Sequence, residues 1–485
     1  MVMKVKTKID DDMISAKQQE EDEELTPVSP LGQYLNSSVL SLTLYAVLEF
    51  KVPVNDLPIS LVSDHFLPIS PRFSSIMVSE EKSGVKKWKP VKVNVDDHYF
   101  VPEFPQGLSP EEYNECLYNY ISKIALEELP QTLPLWQIHK FNYPTSTGVL
   151  GSLIFKLHHS LGDGYSLMGA LLSCLQRADN PSLPLTLPSR QSSSRPSAKN
   201  ANVSFFRAAA RFPSTLMTSL FDFGQSILKS TIMEDDLTPI RSDTVDGVES
   251  RPLDLTNMAF PLDQIKKITT SLKVTINDVM TGVILLGARM YMEAEDNKSG
   301  SANSMALGLL NTRDIDGYKS VSEMLKPKAK MPWGNQFAFL HLPIPKLTGS
   351  HDPLDFIFRT HQTVKRLKNN YAVFLNAQFL EISRKFIGPE ATSKFLQSTM
   401  KNSSICISNM IGPVEQMALA NHPIQGLYFT ASGLPQSLVV TLISYVGTLR
   451  ATIAVEKGFI DTGKLKKFIS KAYDVIFEAA VPCGC

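Results

Sequence analysis

The sequence predicts a mixed α/β fold made of two halves. Runs with the two-residue alternation of strands are interspersed with amphipathic helical runs on both sides of a stretch rich in proline and serine. With 485 residues the chain is long enough for two domains that each bury a core. No short-period repeat is present, which excludes a solenoid. We therefore expect two α/β domains with a substrate site in the cleft between them.

Composition divides the chain into four segments. Residues 1–25 hold charged runs with almost no apolar side chains, which predicts a disordered tail. Residues 26–180 and 251–485 are the two predicted domains, and residues 181–250 are the predicted linker. Within the linker, residues 203–228 combine phenylalanine and leucine with charged residues and proline. This segment is predicted to lie along a membrane surface, and a helix packed on the protein itself is the alternative.

The first half predicts strands and helices in alternation. A strand over residues 41–47 is followed by a helix over 110–129, which Ser109 and Glu112 begin as a capping pair. A second strand covers residues 148–158. After a glycine-containing turn, apolar residues recur at helical spacing and predict a second helix: Leu167, Met168, Leu171, Leu172 and Leu175.

The second half repeats this mixed pattern from about Arg251 onwards. The predicted helices cover residues 261–272 and 277–295, parts of 352–401, and 461–480. The predicted strands cover residues 304–312, 336–343, 403–409, 426–431 and 437–455, the last as a hairpin that turns near Gly447.

Composition also excludes several classes of function. Lysine plus arginine equals aspartate plus glutamate at 48 each, which argues against a nucleic-acid partner. The first residues are polar and no run reaches about 18 apolar residues, so we expect neither a secretory signal nor a spanning helix. The terminal Cys-Gly-Cys resembles a lipidation tail, with an accidental match as the alternative. The scattered cysteines indicate a reducing compartment: Cys116, Cys174, Cys406, Cys483 and Cys485.

The most informative run is His158-His159-Ser160-Leu161-Gly162-Asp163-Gly164, which follows the second predicted strand. Adjacent strand residues point to opposite faces of a sheet, so the two histidines do not hold one metal ion, and no metal site is expected. A histidine at a cleft suits proton transfer at neutral pH because its ordinary pKa is about 6.5. A purely structural histidine is the alternative.

Asp163 has two interpretations. It precedes a predicted helix, where it would act as N-cap, and an ion pair with Arg313 would fix the turn. We favour this structural role. The rival is a histidine–aspartate relay, in which the carboxylate would bind the second ring nitrogen of the histidine.

The histidine run resembles the His-His-x-x-x-Asp-Gly signature of the coenzyme A-dependent acyltransferase superfamily. Four further motifs occur with it: Pro134-Leu135-Trp136, Asn277-Asp278, Gly334-Asn335, and Ser408-Asn409 followed by Gly412-Pro413. Together they resemble the wax ester synthase/diacylglycerol acyltransferase family, particularly its plant members. The resemblance extends from about Pro27 to Ala480.

The resemblance implies two chloramphenicol-acetyltransferase-like α/β domains with the active site in a tunnel at their interface. The implied reaction transfers a fatty acyl group from acyl-coenzyme A to a long-chain alcohol or to diacylglycerol. Acyl-coenzyme A is then a co-substrate, and no permanently bound cofactor is expected. The implied location is the cytosolic face of the endoplasmic reticulum membrane, or the plasma membrane, with the protein at the membrane surface.

The resemblance also assigns residue roles. His159 is the implied general base and His158 its support. Asn277, and less firmly Asn409, are expected to donate to the tetrahedral oxyanion. The local alternative for the Asn277-Asp278 pair is helix capping with Thr275. The remaining candidates are Trp136, Gly164 and Ser408 for substrate contact, with core packing as the alternative for the tryptophan.

Other functions fit the motifs less well. A plant alcohol acyltransferase of the related type would carry Asp-Phe-Gly-Trp-Gly, which the chain lacks. A peptide-synthetase condensation domain shares the double histidine but normally adjoins a carrier domain. A serine hydrolase would need Gly-x-Ser-x-Gly, and the run from Gly164 to Met168 fails at its last position. A lipid-binding scaffold is the non-enzyme alternative.

Overall fold

A computed structural model describes residues 25–80, 84–145, 148–186, 235–243, 247–311, 313, 321–326, 329, 333–347, 352–368 and 388–481. Three of the predictions fall outside these residues. They are the disordered tail up to residue 24, the membrane-surface segment 203–228, and the terminal Cys-Gly-Cys.

The described strands are, in chain order, β1 (Thr26–Pro27), β2 (Thr43–Phe50), β3 (Ser75–Ser79), β4 (Lys86–Pro90), β5 (Tyr99–Phe100), β6 (Trp136–Phe141), β7 (Gly151–His158), β8 (Gln176–Arg177), β9 (Leu253–Pro261), β10 (Met305–Asn311), β11 (Phe337–Pro343), β12 (Ile405–Met410), β13 (Met417–Leu419), β14 (His422–Ser432), β15 (Leu438–Tyr445) and β16 (Thr448–Glu456). The described helices are α1 (Pro30–Tyr34), α2 (Pro110–Leu126), α3 (Gly164–Cys174), α4 (Leu262–Leu272), α5 (Ile276–Glu295), α6 (Val321–Met324), α7 (Leu354–Lys368), α8 (Pro389–Lys401) and α9 (Thr462–Ala480).

The first large sheet has seven strands in the order β5-β6-β7-β2-β14-β13-β8. Helix α2 packs on one face, where Leu117 and Ile121 join a core with Tyr45 of β2. Helix α3 packs on the other face, where Leu167 and Met168 join Leu157 of β7. Because both faces are covered, all eight residues of β7 are buried, which explains its nearly continuous apolar sequence.

The second large sheet has six strands in the order β11-β10-β12-β15-β16-β9. Strands β10, β12 and β15 run parallel, whereas the remaining pairs are antiparallel. Helices α4, α5, α7 and α9 contribute to its core, and α5 is the most deeply buried of them. A smaller sheet of β1, β4 and β3 lies beside the first half.

The predicted domain boundary at residue 251 does not separate the strands of the two large sheets. Strands β13 and β14 belong to the predicted C-terminal domain, yet they complete the first sheet. Strand β14 pairs with β2 along its length, from Thr43 opposite Ser432 to Phe50 opposite Ile424. Strand pairing is decided by distant partners, so the local alternation that located this strand could not assign it to a sheet.

The predicted linker also ends earlier than expected. Asp235 is buried and its carboxylate accepts hydrogen bonds from the backbone N–H of Met305 and of Ser404, at 2.7 and 2.9 Å. Arg241 donates to the carbonyl oxygen of Lys401 at 2.8 Å. Residues 235–243 are therefore part of the second half.

Local signals located most elements within a few residues. The capping pair of Ser109 and Glu112 begins α2, and Thr275 with Asp278 begins α5, as predicted. The hairpin of β15 and β16 turns at Val446 and Gly447, both with positive φ. Local patterns did not predict β1, β3, β4, β5, β6, β8, β9 and β13, nor the short helices α1 and α6. Among the described residues no single helix is long and apolar enough to cross a membrane; α4 and α5 reach that length only together, across a 100° bend.

Candidate active site

The histidine run forms a turn between a buried strand and a helix. Strand β7 ends at His158, a short 3₁₀ turn covers His159–Leu161, and α3 begins at Gly164. Asp163 is the N-cap: its side chain accepts the backbone N–H of Ser166 at 3.0 Å. A Cβ atom at Gly162 would lie 2.9 Å from that of Ser166, so only glycine fits this close packing.

His159 is held by one asparagine from the second half. Its Nδ1 lies 2.9 Å from Oδ1 of Asn335, and the amide nitrogen of Asn335 donates to the carbonyl oxygen of His159 at 2.9 Å. Because a carbonyl oxygen only accepts, the second bond determines which end of the amide faces the ring. The amide oxygen then requires the proton on Nδ1. This leaves the Nε2 lone pair of His159 without a partner in the described part of the chain.

The surroundings of His159 favour its neutral form. The side chain is buried, and its ring lies 5.3 Å from that of Phe337. Burial lowers the pKa of His159 below its ordinary value, while the charge of Asp163 and the hydrogen bond to Asn335 act in the opposite direction. A neutral imidazole with a free Nε2 is the form that can accept a proton.

His158 contacts a different set of groups from His159. Its Nδ1 accepts the backbone N–H of Ser160 at 3.1 Å, so its Nε2 carries the proton and donates to the Ser41 hydroxyl at 3.2 Å. Burial lowers the pKa of His158 to about 3. Both ring nitrogens are therefore occupied by structural bonds that tie the end of β7 to the chain before β2. These contacts fit the supporting role predicted for His158.

Asp163 forms the ion pair that the sequence analysis predicted. Arg313 contacts the Asp163 carboxylate, and both side chains are almost fully buried. The same carboxylate accepts the backbone N–H of Gln336 at 2.8 Å. The rival relay is not formed, because the Nδ1 of His159 is bonded to Asn335 instead.

One short segment of the second half surrounds the turn, and we call residues 333–336 the motif-contacting loop. The Trp333 indole N–H donates to the carbonyl oxygen of Leu161 at 2.7 Å. The Gly334 carbonyl accepts from Ser166 and Arg313, at 3.0 and 2.7 Å. With Asn335 on His159 and Gln336 on Asp163, every residue of this loop bonds the turn. The sequence analysis noted Gly334-Asn335 as a motif but did not list Asn335 as a site residue.

Asn277 and Asn409 lie together, apart from this network. The Asn409 amide donates to Oδ1 of Asn277 at 3.1 Å, where α5 begins and β12 ends. Among the described residues no hydrogen bond or ring contact joins either asparagine to His159. Ser408 precedes Asn409 on β12 and pairs with Thr441 of β15. The oxyanion and substrate roles of these residues stay predictions.

The remaining two candidates for substrate contact, Trp136 and Gly164, have different surroundings. Trp136 is fully buried, its indole N–H donates to the carbonyl oxygen of Phe73 at 2.8 Å, and its ring stacks on His98 at 4.1 Å. These contacts support the core-packing interpretation over substrate contact. Gly164, in contrast, lines an apolar cavity between α3 and the first sheet. A Cβ atom at Gly164 would lie 2.1 Å from the Met410 sulfur, so a side chain would close the cavity there.

The fold matches that of a solved acyltransferase. The wax ester synthase/diacylglycerol acyltransferase from Marinobacter aquaeolei VT8 aligns with a TM-score of 0.57 at 14% identity, covering 94% of this chain and 100% of its own. This confirms the predicted fold of two chloramphenicol-acetyltransferase-like α/β domains. The match and the histidine turn together define a two-domain α/β protein with a candidate acid–base site.

Two family models assign the chain more narrowly. The wax ester synthase/diacylglycerol acyltransferase catalytic domain matches residues 74–280, and the C-terminal domain of the same family matches residues 333–476. The chain belongs to this family. Wax ester synthase/diacylglycerol acyltransferase 4 of Arabidopsis thaliana is 28% identical over 464 residues, covering 90% of this chain and 87% of its own. Wax ester synthase/diacylglycerol acyltransferase 8 of the same plant is 29% identical over 458 residues, covering 90% and 92%.

Proposed function

We propose that the protein transfers a fatty acyl group from acyl-coenzyme A to the hydroxyl of a long-chain alcohol or of diacylglycerol, with His159 as general base. The products are a wax ester or a triacylglycerol, together with free coenzyme A. One observation carries the proposal for the base. Asn335 holds His159 as the Nδ1–H tautomer, and Nε2, which has no partner among the described residues, can take a proton.

The reaction needs no covalent enzyme intermediate. Nε2 of His159 takes the proton of the acceptor hydroxyl while the oxygen attacks the thioester carbonyl carbon. The resulting tetrahedral oxyanion collapses, the carbon–sulfur bond breaks, and the imidazolium returns its proton to the departing thiolate. Asn335 accepts the Nδ1–H bond throughout, so the ring keeps its orientation while its charge changes. Asn277 is the proposed oxyanion donor, with Asn409 as its neighbour.

The location of the enzyme is part of the proposal. Both proposed acceptors partition into membranes, so we place the protein at the cytosolic face of the endoplasmic reticulum membrane, or at the plasma membrane, in a role such as cuticular wax synthesis. The segment 203–228 is the proposed contact with lipid. Membrane fractionation of the full chain and of a variant with polar substitutions in this segment tests it. Equal sedimentation of both with membranes would contradict this assignment.

A microbe lacking neutral-lipid synthesis provides the test of the reaction. Cells expressing the chain and fed a fatty alcohol should accumulate wax ester, and His159→Ala should lower the rate by about 10²- to 10⁴-fold. His422→Ala is the matched control, since this histidine pairs with the exposed Asp56 and lies outside the site. Equal product from wild type and His159→Ala would overturn the proposed base. No ester from either, with alcohol or diacylglycerol, would indicate another acceptor or a lipid-binding scaffold.

A further inference from the structure

The apolar cavity beside the histidine turn has a defined orientation relative to it. Its lining includes Leu157, two residues before His159, and Gly164, five residues after it. Along α3 the lining continues through Leu167 and Leu171 and reaches Cys174, the last residue of the helix. One end of the cavity therefore lies at the turn and the other at the C-terminal end of α3.

The length of the cavity follows from helix geometry. From Gly164 to Cys174 the helix rises by about 15 Å, which matches an extended alkyl chain of about twelve carbons. The opposite wall is formed by side chains that share one face of the first sheet, among them Phe155 of β7 and Phe429 of β14. Met410 and Ile443 close it from the second half.

The chemistry of the lining favours a single alkyl chain over diacylglycerol. Every lining residue is an aliphatic or aromatic residue, a glycine, a methionine or the single Cys174. Diacylglycerol carries two ester groups and a hydroxyl, which would lie here without hydrogen-bond partners among the lining side chains. A single saturated chain leaves nothing unpaired. The acyl group is also the substrate that wax ester and triacylglycerol synthesis share.

We propose that this cavity holds the fatty acyl chain of the donor and that Cys174 at its far end sets the preferred chain length. The proposal rests on the acyltransferase function proposed above and assigns the acyl half of that site. Chains that reach beyond Cys174 must displace the side chains at the end of α3. A larger side chain at position 174 therefore shortens the preferred chain, and a smaller one lengthens it.

The test uses the purified full-length chain and two substrate series. In the first, acyl-coenzyme A of ten to twenty carbons is paired with one fixed alcohol; in the second, one acyl-coenzyme A is paired with alcohols of increasing length. Cys174→Phe should lower the ratio of kcat/KM for the eighteen-carbon donor to that for the twelve-carbon donor by about tenfold or more. Cys174→Ala should raise this ratio. The alcohol series should be unchanged in both variants.

The matched control is Ser173→Phe, which places the same bulk on the exposed face of the same helix. It should leave both length profiles at the wild-type values. If Cys174→Phe does not fold, Leu171→Phe fills the cavity one turn nearer the histidine and should cut off the profile at a shorter chain. A change in the alcohol profile instead of the acyl profile would overturn the proposal, as would an unchanged acyl profile.

Binding separates this proposal from the proposed function. In a His159→Ala background, the affinity for eighteen-carbon relative to twelve-carbon acyl-coenzyme A is measured by titration calorimetry without turnover. Cys174→Phe should lower that relative affinity by about tenfold. If no ester forms with any substrate but this shift occurs, the reaction assignment is wrong and the cavity assignment stands. If ester forms and the shift is absent, the cavity assignment is wrong.

Discussion

Asp163 and Asp278 are buried aspartates that begin helices in the two halves of the molecule. Asp163 caps α3 through the N–H of Ser166, and Asp278 caps α5 by accepting from the backbone N–H of Thr275 at 3.0 Å. Their local roles are therefore nearly the same. Their other partners differ: Asp163 bonds groups 150 and 173 residues away in the other half, whereas Asp278 bonds His361 of α7, within its own half.

Asp163 therefore connects the two halves of the molecule, whereas Asp278 acts within one half. The motif-contacting loop that bonds Asp163 through Gln336 also bonds His159 through Asn335. A change at Asp163 or Arg313 should therefore reach the base, because adjacent residues of one loop bond Asp163 and His159. A change at Asp278 affects the start of one helix and its contact with α7. The predictions below test this contrast.

The largest expected effect is on the free energy of unfolding, when the Asp163–Arg313 ion pair is broken. Arg313→Met leaves the buried Asp163 carboxylate without its cation and should lower the free energy of unfolding by about 3–5 kcal/mol. The control is Arg359→Met, because the Arg359–Asp355 pair is exposed and should contribute no more than about 0.5 kcal/mol. Urea unfolding at pH 7.5 measures both. Equal losses in the two variants would contradict the coupling role of Arg313.

The second prediction concerns pH and the two asparagines. Burial lowers the pKa of His159 below its ordinary value of about 6.5. The neutral base form therefore predominates at pH values above this lowered pKa. We expect kcat/KM to rise with pH through the lowered pKa and then level off. Asn335→Asp places a carboxylate on Nδ1, stabilises the imidazolium, and should move this rise to higher pH by about 1–2 units. Asn277→Asp should move it less, because the described bond of Asn277 is to Asn409 and not to the ring of His159.

The pH–rate profiles of the two variants and the wild type decide this point. Asn335→Leu gives a further check, since it removes the acceptor and should lower kcat by about tenfold without adding charge. A pH–rate profile that shifts in Asn277→Asp and stays fixed in Asn335→Asp would contradict the assignment of Asn335 as the residue that bonds Nδ1 of His159.

The smallest effect on stability is expected at Asp278. Asp278→Ala removes a capping side chain and should lower the free energy of unfolding by about 1 kcal/mol, with turnover per folded molecule close to that of the wild type. Thermal unfolding and active-site-normalised rates measure the two quantities. A marked loss of turnover per folded molecule would show that Asp278 and its contacts also contribute to the site.

The sequence by itself determined the local features of this protein. It placed most of the longer strands and helices, the capping residues Ser109, Asp163 and Thr275, and the histidine turn, because these depend on contacts within a few residues. It also offered Arg313 as the ion-pair partner that would fix the turn at Asp163, and the structure contains this pair. The motif Gly334-Asn335 was visible, but nothing in its surroundings indicated that it would contact a histidine 176 residues away.

Only the tertiary structure decided which distant residues meet. It assigned β13 and β14 to the first sheet, brought Asn335 to His159, placed Trp136 in the core, and left Asn277 bonded to Asn409. It also formed the cavity between α3 and three strands of the sheet. The physical reason is that strand pairing and side-chain contacts between halves depend on the packing of whole elements, which the periodicity of one segment does not encode.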